Sequence, residues 1–490
     1  MAEITLESPP LEPSAAFEPP FLCLGDPVVV APRPADGRPA GVIVLTLDAL
    51  SRNHASGGGY RRPTTPNLDR LMSEGAFFLH AMAPTPSTYT SLPSFLSSSH
   101  RRDSWQEFLS NLDTESPTLP EVFGAQGHRT AVFIRDIYFN SFWKGVNVRP
   151  YPYTRPRLTA EEIDDAMTDR LIAWIKSVRE QHFFAWMHLN QPHGPNRPSP
   201  QHDLFRDQAD AAPSFRAIEQ FMTGVGVPGA KGLAETAEQI SLHREDHDPA
   251  LVRHAEVVIE ALYDGSIHEA DALVERVVDA LRGEGLLDST LLAIASDHGW
   301  PLVPVFHPEA IGPDAEYEVP LILRGPGVPA GQRIGERVSL VDLGPTLLDL
   351  AGLAAPPTFE GSSLRPLVHG GTLGLRLVAA QKKEVLLGYL GAAKIVLPRP
   401  SLALPAATAI GTASFFDLGL DPDSTRPLPA AGEPLARQAY EALIAWHSAP
   451  RTAFRERRLT EALKGFLREA GYLKDEKATG STGEPPRRPR

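Results

Sequence analysis

Between residues 41 and 50 the chain reads GVIVLTLDAL, an unbroken apolar run rich in β-branched residues that closes on Asp48. Because every position is apolar, and not every second one, the run predicts a strand buried on both faces, as inside a parallel sheet. Four more runs have the same character: TAVFI, HFFAWMHLN, STLLAIASDHG and EVPLILRGPG. Between them lie segments with helical spacing of apolar positions: TTPNLDRLMSEG, AEEIDDAMTDRLIAWIKSVREQ, and EALYDGSIHEADALVERVVDALRGEG with its Gly stop. VSLVDLGPTLLDLAGL adds a helix with Pro near its start. Strand and helix in alternation predict an open α/β fold with a central, mostly parallel sheet flanked by helices.

The rhythm breaks in three places. Residues 194 to about 250 mix Pro, Gly, Asp and Ala, and predict an insertion of loop and short helix over one rim of the sheet, placed to shape a substrate pocket. From about 376 to 432 the segments KEVLLGYLG, AAKIVLP and ASFFDLGLDP predict a small antiparallel sheet, and residues 433 to 490 predict helices running into a frayed basic tail. Residues 1–39, rich in Pro and acidic side chains, predict a poorly ordered arm, so the main α/β unit is expected over 40–375.

Composition narrows the functions open to such a chain. At 490 residues, 42% hydrophobic and 22% charged, it has ample material for a large core. A formal net charge of -13 excludes a general nucleic-acid binder, since phosphate backbones are held by clustered Lys and Arg, but leaves room for a local anion pocket. Cys23 is the single cysteine, so neither an intrachain disulfide nor a Cys-rich metal site can form. The first residues lack a basic segment followed by an apolar run, and no stretch of eighteen apolar residues occurs; the expectation is a soluble, cytoplasmic chain with no membrane span.

Two of the buried runs end in groups that can carry chemistry: Asp48, and Asp297 with His298. In open α/β sheets, ligands sit beyond the carboxyl ends of the strands, so these side chains can converge on one point. Two carboxylates, an imidazole and a hydroxyl make a four-ligand site for a divalent metal. For Asp48 alone the competing reading is a helix cap, the commoner fate of an Asp after a strand. TPSTYTSLPSFLSS, residues 85–98, reads by itself as a Ser/Thr-rich helix start.

Taken together, VIVLTLDALSRNH, GYRRPTTPNLDRLMSEGAFFLHAMAPTPSTYTSLPSFLSS, WMHLNQPHGP, LYDGSIHEAD, ASDHG, EVPLILRGPGV, VSLVDLGPTLLDLAGL, FEGSSLRPL and FFDLGLDPDSTRPL resemble the sulfatase family of the alkaline-phosphatase superfamily. The ordered set covers roughly residues 40 to 430. The resemblance implies an alkaline-phosphatase-like fold with a small C-terminal antiparallel sheet, and metal-dependent hydrolysis of a sulfate or phosphate ester. Carried over residue by residue, it places the nucleophile at Ser91, with Thr90 as nearest rival, and the metal on Asp48, Asp297, His298 and Ser91. His193 is then the group that binds the anion or protonates the leaving oxygen, and His307 falls near a second family histidine.

The departures from the family pattern shape the expectation further. Sulfatases carry Cys or Ser in a CxPSR-like context, oxidised to formylglycine; reading from Ser91 puts Phe95 in place of the Arg, which favours an unmodified hydroxyl and moves weight towards phosphate esters and diesters. Ala49 stands where many relatives have a second metal-binding Asp, Gln191 replaces the Asp of a DPH motif, and Trp300 replaces an acidic residue after DHG. The expected cofactor is one divalent metal, Mn²⁺ or Zn²⁺ before Ca²⁺, and the expected partner is a small anionic ester. Lys394 is read as a structural lysine of the small sheet. Two alternatives stand beside this reading: a degenerate, non-catalytic sulfatase-like binding protein, and a transferase of a phospho-headgroup.

Overall fold

The computed structural model describes residues 38–100, 116–135, 160–224, 232–300, 314–382, 384–422, 424–430 and 432–449, and the backbone of two short strands at 113–114 and 454–455. Much of the 1–39 arm, His307 and the C-terminal tail lie outside the described residues.

The strands of the main sheet are β1 (Gly41–Leu47), β2 (Ala76–Met82), β3 (Arg129–Phe133), β4 (Phe183–Leu189), β5 (Thr290–Ser296), β6 (Glu318–Arg324), β7 (Gln332–Ile334) and β8 (Val338–Ser339). Their order is β3-β4-β1-β5-β6-β2-β7, with β8 also paired to β2. The four strands from the β3 edge to β5 run parallel, while β6 is antiparallel to both β5 and β2. The sheet is thus mixed and mostly parallel, as the apolar runs predict.

Both faces are covered, which is why the central strands carry no polar stripe. Ile43, Leu45 and Leu47 of β1 point to a core built with Met167, Leu171 and Trp174 of α4 (Ala160–Val178) and Ile267, Leu273 and Val274 of α7 (Pro249–Gly283). Val42 and Val44 point the other way, onto Leu92 and Phe95 of α2 (Thr88–Leu96), Phe123 of α3 (Leu119–Ala125) and Leu347 of α8 (Leu343–Leu350). Each such fully buried aliphatic side chain stabilises by roughly 1.5–3 kcal/mol.

The first helix, α1 (Pro66–Glu74), is held by two carboxylates that explain the TPNLD motif. Asp69 accepts from Gly57 N (2.6 Å), Ser56 Oγ (2.7 Å) and Thr65 Oγ1 (2.8 Å), tying the helix to the loop after β1. Asp271, from the middle of α7, accepts from Asn67 N (3.0 Å), Asn67 Nδ2 (2.9 Å) and Leu68 N (2.8 Å), first-turn amides of α1 that have no partner within their own helix.

The insertion contains α5 (Ala212–Gly224) and α6 (Leu233–Leu242), longer helices than its composition predicts, packed on the N-terminal part of α7 through Phe215, Ile218, Ala237, Ile240 and Val258. A separate five-stranded antiparallel sheet follows, in the order β9 (Leu377–Gln381), β10 (Val385–Leu390), β11 (Ala393–Pro398), β12 (Ser414–Asp417), β13 (Leu428–Pro429), with α9 (Pro434–Ser448) packed on one face. Lys394 is buried there, its Nζ 2.7 Å from Asp314 Oδ1 and over the rings of Tyr389 and Phe416, a structural role. No helix among the described residues is long and apolar enough to cross a membrane.

Candidate active site

Strand register brings the site together. Leu47 pairs with Ser296, so Asp48 and Asp297 leave the carboxyl ends of β1 and β5 side by side; Asp48 N donates to Leu189 O (3.0 Å) and Asp297 N to Leu47 O (3.2 Å). Ser296 Oγ locks the junction by donating to Leu47 O (2.7 Å) and accepting from Leu50 N (2.8 Å). Ala49 takes a left-handed φ of 67°, which turns its N–H onto Asp297 Oδ1 (3.1 Å), while its carbonyl accepts from Tyr263 Oη (2.7 Å). Position 49 therefore contributes its backbone to the site.

Asp48, Asp297 and His298 are buried, and ligand atoms from all three lie within 4.8 Å of one another. Asp297 Oδ1 is used up by Ala49 N and by His298 N (2.8 Å), leaving Oδ2 without a hydrogen-bond partner among the described residues; Asp48 Oδ2 is in the same condition. His298 Nδ1 lies 2.8 Å from Gly299 O, and donating to that carbonyl leaves Nε2 with its lone pair, 3.5 Å from Asp48 and 3.7 Å from Asp297. Two buried carboxylate oxygens without donors and an imidazole nitrogen beside them fit a divalent cation.

Electrostatics say the same. Burial works against charge on Asp48, yet the imidazoles of His193, His188 and His298 outweigh it and hold this carboxyl at about 2. Asp297 is pushed up, first by burial and then by the neighbouring Asp48 charge, against the pull of His298. An added positive charge would favour ionisation of both carboxylates together.

The hydroxyl facing this cluster belongs to Thr88. Its Oγ1 lies 3.2 Å from Asp48 Oδ1 and 3.2 Å from His298 Nε2, at the first residue of α2. Ser91, the expected nucleophile and ligand, is one turn deeper, fully buried, and donates to the backbone carbonyl of Asp297 (2.5 Å). Three residues of helix advance about 4.5 Å along the axis while nearly completing a turn. Ser91 thus keeps the same face of the helix but lies below the cluster. Thr90 points elsewhere, to Ser87 O (3.1 Å) and to Thr85 Oγ1. Reading the family pattern from Thr88 sets Thr88-Tyr89-Thr90-Ser91-Leu92 against Cys-x-Pro-Ser-Arg: Ser91 matches its serine, and buried Leu92 stands at the Arg. Phe95 is a core residue, edge-on to Trp186 at 6.1 Å.

His193 is half-buried on the cis-proline segment after β4, with Nδ1 2.8 Å from Gly194 O and its ring edge-on to Trp300 at 5.1 Å. Asp164 of α4 holds that segment, accepting from Asn190 N (3.0 Å), Asn190 Nδ2 (2.6 Å) and Gln191 N (3.0 Å). Gln191 itself turns away, donating to Glu269 (2.9 Å).

Besides Thr88, a second residue of the site was not singled out from the sequence. His188 on β4 is fully buried, with Nδ1 3.0 Å from Thr46 Oγ1 and Nε2 3.6 Å from Asp48 Oδ2. Burial favours its neutral form, but the carboxylates of Asp48, Asp297 and Asp164 raise its pKa. Its signal was a lone polar letter in the otherwise apolar FFAWMHL, on the strand beside β1.

Comparison with known proteins finds relatives of similar sequence and fold. Arylsulfatase K of Bos taurus is 26% identical over 386 residues, covering 69% of this chain and 69% of its own, and arylsulfatase K of Homo sapiens is 25% identical over 66% of each. Among solved structures, a protein in complex with its substrate D-glucosamine-2-N,6-O-disulfate superposes with a TM-score of 0.63 at 17% identity, over 89% of this chain and 98% of that one. The phosphonate monoester hydrolase of Agrobacterium radiobacter does so with 0.60 at 19%, over 86% and 100%. The sulfatase family model matches residues 41–353, more than half of the chain, and the chain belongs to the sulfatase family of hydrolases.

Proposed function

We propose that this sulfatase-family hydrolase cleaves a sulfate or phosphate ester with the unmodified hydroxyl of Thr88 as nucleophile. The observation that carries the reading is the place of Thr88 Oγ1, 3.2 Å from both Asp48 and His298 at the amino end of a nine-residue helix. Threonine carries a single β-hydrogen and a methyl group, so oxidation at Cβ would give a ketone and not the aldehyde that cysteine or serine gives; the reading therefore takes the side chain as an alcohol.

Asp48, Asp297, His298 and Thr88 would hold the cation, with Mn²⁺ or Zn²⁺ suited to this nitrogen and oxygen set. A divalent metal bound there supplies charge that lowers the pKa of a coordinated hydroxyl and stabilises the transferring group. Thr88, its hydroxyl proton released to water, would attack the sulfur or phosphorus in line; the bond from Oγ1 forms as the bond to the leaving oxygen breaks. The leaving oxygen would take a proton from Nε2 of His193 in its imidazolium form, whose Nδ1–H is turned to Gly194 O. Water then attacks the same centre and releases Thr88. The positive end of the α2 dipole favours the anionic group throughout.

The test is turnover of 4-nitrophenyl sulfate, 4-nitrophenyl phosphate and bis(4-nitrophenyl) phosphate by the wild type and Thr88→Val. Turnover of any of them that disappears in the variant supports the reading; equal turnover by both proteins refutes it.

A further inference from the structure

Residue 49 needs a support that its own side chain does not give. At a φ of 67° it sits in the left-handed region, where glycine rests at little cost and a residue with a Cβ does not. The support comes from Tyr263 in the middle of α7. Its Oη donates to Ala49 O (2.7 Å) and accepts from Ser51 N (3.0 Å), so one hydroxyl brackets the turn on both sides of Leu50, whose own N–H is held by Ser296. The ring is fully buried in the core between the sheet and α7, edge-on to His54 at 5.1 Å, which fixes the hydroxyl against the turn.

The turn delivers one N–H to the site. Held left-handed, Ala49 aims its amide at Asp297 Oδ1 (3.1 Å), which also accepts from His298 N (2.8 Å). A carboxylate oxygen has two lone pairs, and these two donors occupy both. Asp297 is left with Oδ2 alone for a cation, so it ligates through one oxygen and not as a chelating pair. Ligand number separates the candidate metals: Ca²⁺ gathers about six to eight oxygens, with carboxylates often giving both of theirs, whereas Zn²⁺ is satisfied by about four ligands.

We propose that Tyr263 is a positioning residue that sets metal specificity: by holding Ala49 left-handed it keeps Asp297 a one-oxygen ligand, and so favours Zn²⁺ over Ca²⁺. The inference rests on the Asp48–Asp297–His298 cluster as the cation site of the proposed function.

Zn²⁺ and Ca²⁺ are titrated separately into the metal-free full chain by calorimetry, counting as the site's the binding that Asp297→Asn abolishes, with thermal midpoints for every variant. The wild type is expected to bind Zn²⁺ more tightly. Tyr263→Phe, which keeps the ring and removes the hydroxyl, should narrow that preference by about tenfold, the effect of losing one hydrogen bond of the clamp. Ala49→Gly takes the left-handed turn without support, so added to Tyr263→Phe it should restore most of the preference. Ala49→Val, which bears that conformation worst, should narrow it even with Tyr263 in place, and tests the same clamp should Tyr263→Phe not fold. A packing role alone lowers the midpoint of Tyr263→Phe and leaves the preference unchanged whatever residue stands at 49. That result overturns the inference, as does a wild type that binds Ca²⁺ more tightly or binds neither metal. The predicted shifts in a chain without Thr88-dependent turnover support the inference and sink the hydrolase reading alone.

Discussion

Thr88→Val and Ser91→Ala remove hydroxyls one helical turn apart, and the geometry assigns them opposite consequences. Thr88 Oγ1 faces Asp48 and His298, whereas Ser91 Oγ spends its hydrogen on Asp297 O. Losing a covalent nucleophile costs on the order of 10⁴-fold in kcat, equivalent to about 5.5 kcal/mol of barrier. Thr88→Val should lose that much and keep its stability, since valine fills nearly the same volume; Thr88→Ser restores a hydroxyl and should recover a large part of the rate. Ser91→Ala instead leaves a buried carbonyl short of a donor, at about 1–3 kcal/mol of stability. Because that carbonyl belongs to a residue of the cluster, a loss of about tenfold in kcat is expected beside it, and no more. The assay is kcat for the best ester found, with urea midpoints for all three variants. Abolished turnover in Ser91→Ala together with near-normal turnover in Thr88→Val refutes the assignment and restores the register with Ser91 as nucleophile.

Asp271→Ala strips three donors at the start of α1 of their acceptor and should cost about 2–5 kcal/mol, read as a lower urea midpoint and faster amide exchange at Asn67 and Leu68. Burial raises the Asp164 pKa to about 6 against the donors from Asn190 and Gln191. A carboxyl whose folded-state pKa lies above its unfolded value binds its proton more tightly when folded, so its contribution is complete below about pH 4 and is lost as pH rises through 6. Wild-type stability should therefore decline between those values by up to roughly 3 kcal/mol relative to Asp164→Asn, which does not titrate; parallel curves for the two proteins contradict this.

Strands buried on both faces were readable because their letters carry one message: GVIVLTL, FFAWMHL and TLLAIAS all lie in the parallel centre of the sheet. β2, Ala76–Met82, did not stand out, since AFFLHAM follows directly on a helix and its polar His80 finds its partner in Glu318 across the sheet, 3.0 Å away. The insertion concealed two helices because Pro and Gly punctuate the segment around them, although each has an apolar face that packs on α7. At the site, Asp48, Asp297 and His298 followed from strands that end level with each other. The hydroxyl that faces the cluster lies one turn before Ser91, the residue expected there, because two patterns compete in TYTSLPS. The Pro-Ser pair after Ser91 attracts the family register, whereas the actual helix start after Ser87 puts Thr88 first. Ser87 is a favoured residue before a helix, and that signal was present in the sequence.

Metal content tests the central claim most directly. Asp297→Asn keeps an acceptor for Ala49 N and His298 N but replaces the free Oδ2 with a donor, so the fold survives while the cation loses a ligand. After incubation with Mn²⁺ or Zn²⁺ and desalting, elemental mass spectrometry should find about one equivalent per wild-type chain and little in Asp297→Asn. Equal metal in both proteins, or none in the wild type, contradicts the site built here from Asp48, Thr88, Asp297 and His298.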